Sequence, residues 1–304
     1  MRLTVGICAY NEDKNIGYLL KNILCEQKLS ADSEVLVVCS GCTDNTIKIA
    51  EKYSEQDSRV NVCIETERKG KASAVNRILA RAKGDAILFV SADTLPQKNC
   101  FSRILLKLQE TNVGISCGNP VPINKPRSMV DRLVQLLWRF HDHVFAELSD
   151  AGLARHATEI FCVRKGIVNN IPNETVNDDA YIALTAKKKG WLIKYDTKAQ
   201  VLICGPKTFR EYFQQRRRII CGHYQVKKIT GETPQYLVHL IPQHPHRILK
   251  LALWLPTNYD IFTLGIFLFT ELALNLVAIT DIISRKNHAK WKRLSSTKNL
   301  TYPD

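Results

Sequence analysis

The chain has 304 residues, 45% of them hydrophobic, enough for one large α/β domain with an appendage or for two small domains. A formal net charge of +14 implies an anionic partner: nucleic acid, a phosphate-bearing substrate or the anionic leaflet of a membrane. The basic residues are spread along the chain with no zinc-finger spacing, helix-turn-helix signal or basic-plus-heptad pattern, which sets nucleic acid aside as the expected partner.

Met1-Arg2-Leu3-Thr4-Val5 opens directly into a strand over 3–9, with no signal peptide expected. Tyr10-Asn11-Glu12-Asp13 breaks it, and Ile16, Leu19, Leu20, Ile23 and Leu24 then line one face of a helix over 15–27. Glu34-Val35-Leu36-Val37-Val38 is a second buried strand, followed by a loop at Thr43-Asp44-Asn45-Thr46 and a helix with Ile47, Ala50 and Tyr53 inward. A third strand over 60–64 and a helix over 71–82 precede the most informative strand, Ala86-Ile87-Leu88-Phe89-Val90. Five apolar residues in a row suit a strand buried on both faces of a parallel sheet. Pro96 is expected to end any continuation, and a helix follows over 99–109. This alternation predicts an α/β fold with a mostly parallel, doubly wound, Rossmann-type sheet.

The second half is less regular. A short strand over 113–117 leads into an irregular stretch at Gly118-Asn119-Pro120-Val121-Pro122. A long helix over 128–148, a strand over 160–163, a helix over 177–189 capped by Gly190, two short strands over 191–194 and 199–203, and a long basic helix over 209–229 complete the expected domain, 1–230. Residues 231–304 form a C-terminal region in which 261–280 are almost wholly apolar, Glu271 being the one charge. Its length is close to the roughly 20 residues of a membrane helix. Trp254 and Tyr259 precede it as interfacial aromatics do, and Arg285, Lys286, Lys290, Lys292 and Arg293 follow. A buried core helix is the alternative reading. The basic tail is expected on the cytosolic side, through either a helical hairpin with 248–255 or a helix lying in the interface.

Ten cysteines, several in apolar contexts (Cys8, Cys25, Cys63, Cys117 and Cys204), point to a reducing compartment. Cys39-Ser40-Gly41-Cys42 alone has the spacing of a redox or metal pair, and no second pair supports a structural zinc. A strand, Cys-x-x-Cys and helix is also how a thioredoxin-like site looks. His141, His143 and His156 follow no ligand pattern and are taken as ordinary histidines, and His239, His244 and His246 are poor metal candidates.

Polar residues collect where strands end or helices begin: Tyr10-Asn11-Glu12, Ser40-Gly41-Cys42-Thr43-Asp44, Ser91-Ala92-Asp93 and Asn177-Asp178-Asp179. The carboxyl edge of an open α/β sheet is where ligands bind. A carboxylate at Asp93 on so basic a protein can hold a divalent cation and, through it, a diphosphate; it can equally cap a helix or start a turn. In Lys69-Gly70-Lys71-Ala72 the glycine lets the backbone turn and the lysines face an anion. On the basic helix Gln215 and Arg218, three apart, share a face that Arg216 and Arg217 do not. Those arginines can be a solvated face or a lipid-headgroup patch.

In this order the motifs resemble those of the family 2 glycosyltransferases, which have the GT-A fold, over roughly residues 3–225. Val5-Gly6-Ile7-Cys8-Ala9-Tyr10-Asn11-Glu12 matches the opening strand that contacts the nucleotide, and Lys69 to Asn76 matches closely. Cys39 and Ser40 stand where the family has two acids, while Asp44 is kept. Ser91-Ala92-Asp93 aligns with a metal motif of two acids around one residue, with Ser91 replacing the first. Gln215-Arg216-Arg217-Arg218-Ile219 resembles a Gln-x-x-Arg-Trp motif, with Ile219 for the tryptophan.

The resemblance implies an inverting transfer of a sugar from a nucleotide-diphosphate sugar to an acceptor hydroxyl, assisted by Mg2+ or Mn2+. Asp179 would be the catalytic base and Asp93 the metal ligand. Tyr10, Asn11, Glu12, Ser40, Asp44, Lys71, Ala92, Asp178, Gln215 and Arg218 would contact substrate. It further implies a lipid-linked or glycan acceptor and a membrane-associated protein with its catalytic domain in the cytoplasm. Three alternatives remain at this point: a non-catalytic relative, a Cys-x-x-Cys redox protein and a nucleotidyltransferase.

Overall fold

The structure, a computed structural model, describes residues 1–234, 244–284, 286 and 296–298. The expected run β1 (Leu3–Ala9), α1 (Ile16–Glu26), β2 (Glu34–Ser40), α2 (Thr46–Gln56), β3 (Val60–Glu65), α3 (Lys71–Arg81) and β4 (Ala86–Ser91) is present. Its four strands lie parallel in the order β3-β2-β1-β4. The strands bury both faces. Val5, Ile7, Val35, Val37, Leu88 and Val90 pack under α1 on one side, and Leu36, Val38, Ile87 and Phe89 pack with α3 on the other. That two-sided burial is why β4 is an unbroken apolar run.

The sheet then departs from the expected parallel pattern. It continues β7 (Ile160–Arg164), β6 (Val113–Pro122), β8 (Leu192–Ile203) and β5 (Thr94–Pro96), making eight strands. β7 is antiparallel to both β4 and β6, β8 is parallel to β6, and β5 is antiparallel to β8. The sheet is therefore mixed.

Two local readings change with it. Residues 118–122 belong to β6 rather than to an irregular stretch. β7 pairs with β6 only over Ile115–Cys117, so Pro120 and Pro122 lie where the ladder runs on one side alone. The two expected strands over 191–203 are one strand, interrupted by exposed Thr197 and Lys198 at a register shift opposite Gly118 and Asn119. Pro96 is the last residue of β5, and no strand continues past it, as expected. It sits in β5 at the far edge, where a missing donor is tolerated.

Among the described residues the remaining α-helices are α4 (Cys100–Leu108), α5 (Met129–Asp150), α6 (Asp178–Lys188), α7 (Phe209–Thr230), α8 (Pro245–Asn258) and α9 (Ile261–Ile283). α9 is the one described helix long and apolar enough to cross a membrane by length and composition. One of its faces joins a buried cluster in which Val130, Leu133 and Val134 of α5 and Tyr212, Ile220 and Cys221 of α7 meet Phe267, Leu274 and Ala278. The other face leaves Phe262, Leu268, Phe269, Leu272 and Leu276 exposed. His239 and, apart from Lys286, the basic residues expected after the apolar stretch lie outside the described residues.

Candidate active site

The predicted residues fall into two neighbouring groups. The first is built where β1 and β2 end side by side. Asn11, in the left-handed region at φ 54°, clasps the next loop: Oδ1 accepts from the Thr43 N–H at 2.8 Å and Nδ2 donates to Thr43 Oγ1 at 3.1 Å. Asp44 takes the Thr46 N–H at 3.0 Å on Oδ1 and the Asp13 N–H at 3.2 Å on Oδ2. Burial alone would raise its carboxyl; the bonds from Thr46 and Asp13 outweigh that and hold it below the usual range. Glu12 is buried and accepts from Asn15 Nδ2 at 2.9 Å, so its carboxylate organises the entry to α1.

Gly41 has φ +63°, and a Cβ there would lie 2.4 Å from the Arg68 nitrogen. This close approach lets the 66–70 segment cross over β2. Buried Ser40 accepts from the Lys69 N–H at 3.3 Å, and the Arg68 guanidinium stands 4.1 Å above the Tyr10 ring. Together these residues shape a cradle with a flat, positively charged roof. Glu65 underpins it from β3, accepting from Ser73 Oγ at 2.7 Å and Arg77 Nε at 2.6 Å.

The second group joins the ends of β4 and β7 to the starts of α3 and α6. Lys71 Nζ lies 3.0 Å from Asp178 Oδ1. The Lys71 side chain remains 43% exposed and that of Asp178 only 5%, so the lysine is the member open to an incoming ligand. Burial pulls the Lys71 ammonium down, but Asp178, then Glu159 and Asp179, drive it well above the ordinary lysine range. It stays charged at any working pH.

Arg218 reaches the same acids from α7 and donates to the Val176 carbonyl at 3.3 Å. Burial lowers its guanidinium against the opposing pull of Asp178, Glu159 and Asp179. The two helices are locked together: a Cβ at Gly222 would lie 2.4 Å from Asn177 Oδ1, and Asn177 Nδ2 donates to the Ile219 carbonyl at 2.9 Å. Gln215 is half-buried on the same helix. Arg216 and Arg217 are neither a solvated face nor a free patch. Arg216 makes a two-pronged pair with Glu271, and Arg217 pairs with Asp281, both on α9.

Side chains that the sequence reading passed over belong to this group. His156 Nε2 lies 3.4 Å from Asp179 Oδ2, which corrects its reading as an ordinary histidine. Half-buried His223 stands 5.2 Å from it, edge to face, and desolvation of its ring holds its imidazole well below the ordinary histidine range. Glu159 accepts from Ser91 Oγ at 3.2 Å. Burial, then Asp179 and Asp93, hold the Glu159 carboxyl above the usual range against the pull of Lys71. Asp93 and Asp179, distant in sequence, thus both act on the charge of one carboxyl. Ala92 is buried. The signal available in the sequence was position: Glu159 is an isolated acid immediately before an apolar strand. It marks the same sheet edge as Asp93 once β7 is known to run antiparallel.

Among the described residues no set of three or more His, Cys, Asp or Glu side chains is arranged to hold a metal ion by itself. A cavity of about 280 Å³, lined by Arg132, Gln135, Arg139, Tyr259 and others between α5 and the start of α9, includes none of the predicted residues.

The family model described as glycosyl transferase family 2 matches residues 4–161, over half of the chain, and that for glycosyl transferase family group 2 matches 86–282. The chain belongs to glycosyl transferase family 2. Among its relatives is the poly-beta-1,6-N-acetyl-D-glucosamine synthase of Staphylococcus aureus, 23% identical over 240 residues that cover 74% of this chain and 55% of the relative. The chain thus spans about half the length of that curated relative.

The fold is shared with the mannosyltransferase PcManGT from Pyrobaculum calidifontis, solved with GDP-Man and Mn2+ (TM-score 0.69, 21% identity, 94% of this chain and 88% of the other). It is also shared with residues 1–349 of S. aureus TarS solved with UDP-GlcNAc (TM-score 0.55, 14% identity, 100% and 98% covered). This family 2 glycosyltransferase accordingly has a GT-A fold, with a mixed eight-stranded sheet and one long apolar C-terminal helix. Its family membership sets aside the redox and nucleotidyltransferase alternatives.

Proposed function

We propose that the chain transfers a sugar from a nucleotide-diphosphate sugar to an acceptor hydroxyl by a single in-line displacement, with inversion at the anomeric carbon. The observation that carries this is the convergence of Asp178, Asp179, Lys71 and Arg218 beside the cradle of Tyr10, Asn11, Ser40, Asp44 and Arg68. The cradle suits a nucleoside: an aromatic ring under a guanidinium, and polar loop ends around it. Lys71 and Arg218 suit the diphosphate.

Asp179, oriented by His156, takes the proton of the acceptor hydroxyl. The new bond from that oxygen to the anomeric carbon forms as the bond to the diphosphate breaks, and the nucleoside diphosphate leaves with the electron pair. Mg2+ or Mn2+ fits the oxygen donors beside Asp93, because such an ion keeps waters and takes further ligands from phosphates rather than from an all-protein cage. When bound it would supply charge neutralisation at the leaving group. The donors solved with the neighbouring structures, GDP-Man with Mn2+ and UDP-GlcNAc, support this class of substrate.

The membrane part of the proposal rests on α9. One face is held to the catalytic region, 1–230, by the Arg216 and Arg217 pairs, and the opposite face carries Phe262 at 70% exposure and Phe269 at 74%. A helix so attached favours lying in the interface over crossing the bilayer alone. The catalytic region would then sit on the cytoplasmic surface, with a lipid-linked or membrane-proximal glycan as acceptor.

The test is release of nucleoside diphosphate from a panel of UDP- and GDP-sugars with Mn2+ or Mg2+, comparing wild type with Asp179→Asn. Turnover in the wild type that falls at least 100-fold in the variant is expected. Turnover unchanged in Asp179→Asn would remove Asp179 as base, and none in the wild type across the panel would favour a non-catalytic relative.

A further inference from the structure

The family's metal motif places two acids around one residue, and here the first acid is Ser91. The structure offers a replacement from the neighbouring strand. β4 and β7 pair antiparallel through Val90↔Ile160, so the next positions, Ser91 and Glu159, face each other as the ladder ends. The Ser91 hydroxyl donates to Glu159 Oε2 at 3.2 Å, fixing the carboxylate beside the position the first acid of the motif would occupy. Asp93 follows Ser91 by two residues, and its charge and that of Asp179 both act on the Glu159 carboxyl.

We infer that Glu159 supplies the second carboxylate of the cation site, paired with Asp93 across the β4–β7 ladder. The inference rests on the metal-assisted reading above and assigns that site a residue that the motif alone does not name. Charge is consistent with it. Among the described residues the carboxylates of Glu159, Asp178 and Asp179 act on both Lys71 and Arg218, and Lys71 is engaged by Asp178 at 3.0 Å. A divalent ion is what lets carboxylates gathered at one sheet edge accept a diphosphate beside them. Asp178 and Asp179 have roles with Lys71 and His156, which leaves Glu159 as the acid to meet the ion with Asp93. Its donors are hard oxygens, as Mg2+ and Mn2+ prefer.

The experiment is Mn2+ binding to the full chain, followed by the paramagnetic resonance of the free ion, in the presence of UDP and, separately, GDP. Glu159→Gln keeps the size of the side chain and an acceptor for Ser91 while removing the charge. It should weaken Mn2+ binding about 10- to 100-fold. Exchanging the acid back to its usual strand, Ser91→Asp with Glu159→Ser, should restore binding to within about threefold of wild type. A purely structural role for Glu159 would give no such recovery.

Thermal melting without ion checks folding, and Glu159→Gln should melt no lower than wild type because it relieves crowding of like charges. Glu159→Gln binding Mn2+ as tightly as wild type, while Asp93→Asn has lost it, would overturn this inference and leave the metal reading standing. An exchanged variant that melts as wild type yet does not bind would also overturn it. No Mn2+ binding by the wild type with either nucleotide would overturn the metal reading, and the inference with it.

Discussion

Glu271 gives the sharpest quantitative prediction. It is the one charged side chain in the apolar stretch 261–280, and a charge there must be compensated or removed from lipid. Its Oε1 accepts from Arg216 Nε at 3.0 Å and from Tyr212 Oη at 3.2 Å, and its Oε2 from Arg216 Nη2 at 2.6 Å. The pair is 18% and 19% exposed on its two sides, closer to a buried than to a surface ion pair. Breaking a fully buried pair costs about 3–5 kcal/mol and an exposed one about 0–1, so Glu271→Leu should cost about 2–4 kcal/mol. That corresponds to a fall in Tm of roughly 3–6 °C for a chain of this size. Arg216→Met combined with Glu271→Leu removes both charges and should recover most of the loss. The assay is thermal and urea unfolding of the four members of the cycle. A Glu271→Leu protein as stable as wild type, with no coupling in the cycle, would refute the docking of α9 on α7 and the in-plane arrangement built on it.

Other outcomes follow from single contacts. The Cys42 thiol is pulled down to about 7, first by the hydrogen bond with Cys39, so iodoacetamide near neutral pH should modify Cys42 ahead of the exposed Cys25, read by mass spectrometry; sugar transfer should survive Cys39→Ser with Cys42→Ser. For Glu65, burial alone would raise the carboxyl, but bonds from Ser40, Ser73 and Arg77 lower it. A depressed folded value contributes stability above the ordinary glutamate range and loses it as pH falls through the folded value. The Tm gap between wild type and Glu65→Gln should therefore be widest near pH 7 and close below about pH 4. Phe262→Ser with Phe269→Ser should weaken flotation with phosphatidylglycerol vesicles by 10-fold or more, since burying each ring contributes about 1.5–3 kcal/mol; flotation equal to wild type would count against the interfacial placement of α9.

What the sequence made legible follows from which interactions are local. β1 to β4 were readable because burial on both faces demands continuous apolar runs, and their helices because each has one apolar stripe. The direction of β7 was not, since Ile160-Phe161-Cys162-Val163 would serve a parallel or an antiparallel neighbour equally well. Glu159 was lost with that direction. β6 was cut short because Pro120 and Pro122 argue against a strand, and only the one-sided pairing to β8 admits them. Asp178, Asp179, Asp93, Lys71 and Arg218, the residues of the proposed site, were singled out through motif order. His156 was missed because its meaning lies in a contact with Asp179, 23 positions away.

The three consecutive arginines tie these levels together. Successive residues on a helix are about 100° apart, so Arg216, Arg217 and Arg218 cannot share a partner. Glu271 and Asp281 each take one, and both partners lie on the same face of α9 that packs against Tyr212, Ile220 and Cys221. With two arginines committed to α9, the rotation of α7 about its axis is fixed, and the third is left on the side of Asn177, Asp178 and Asp179. The acids of α9 therefore act on the cluster at a distance. They are the reason Arg218 meets carboxylates instead of solvent, and the reason an otherwise apolar helix keeps charged residues on its inner face.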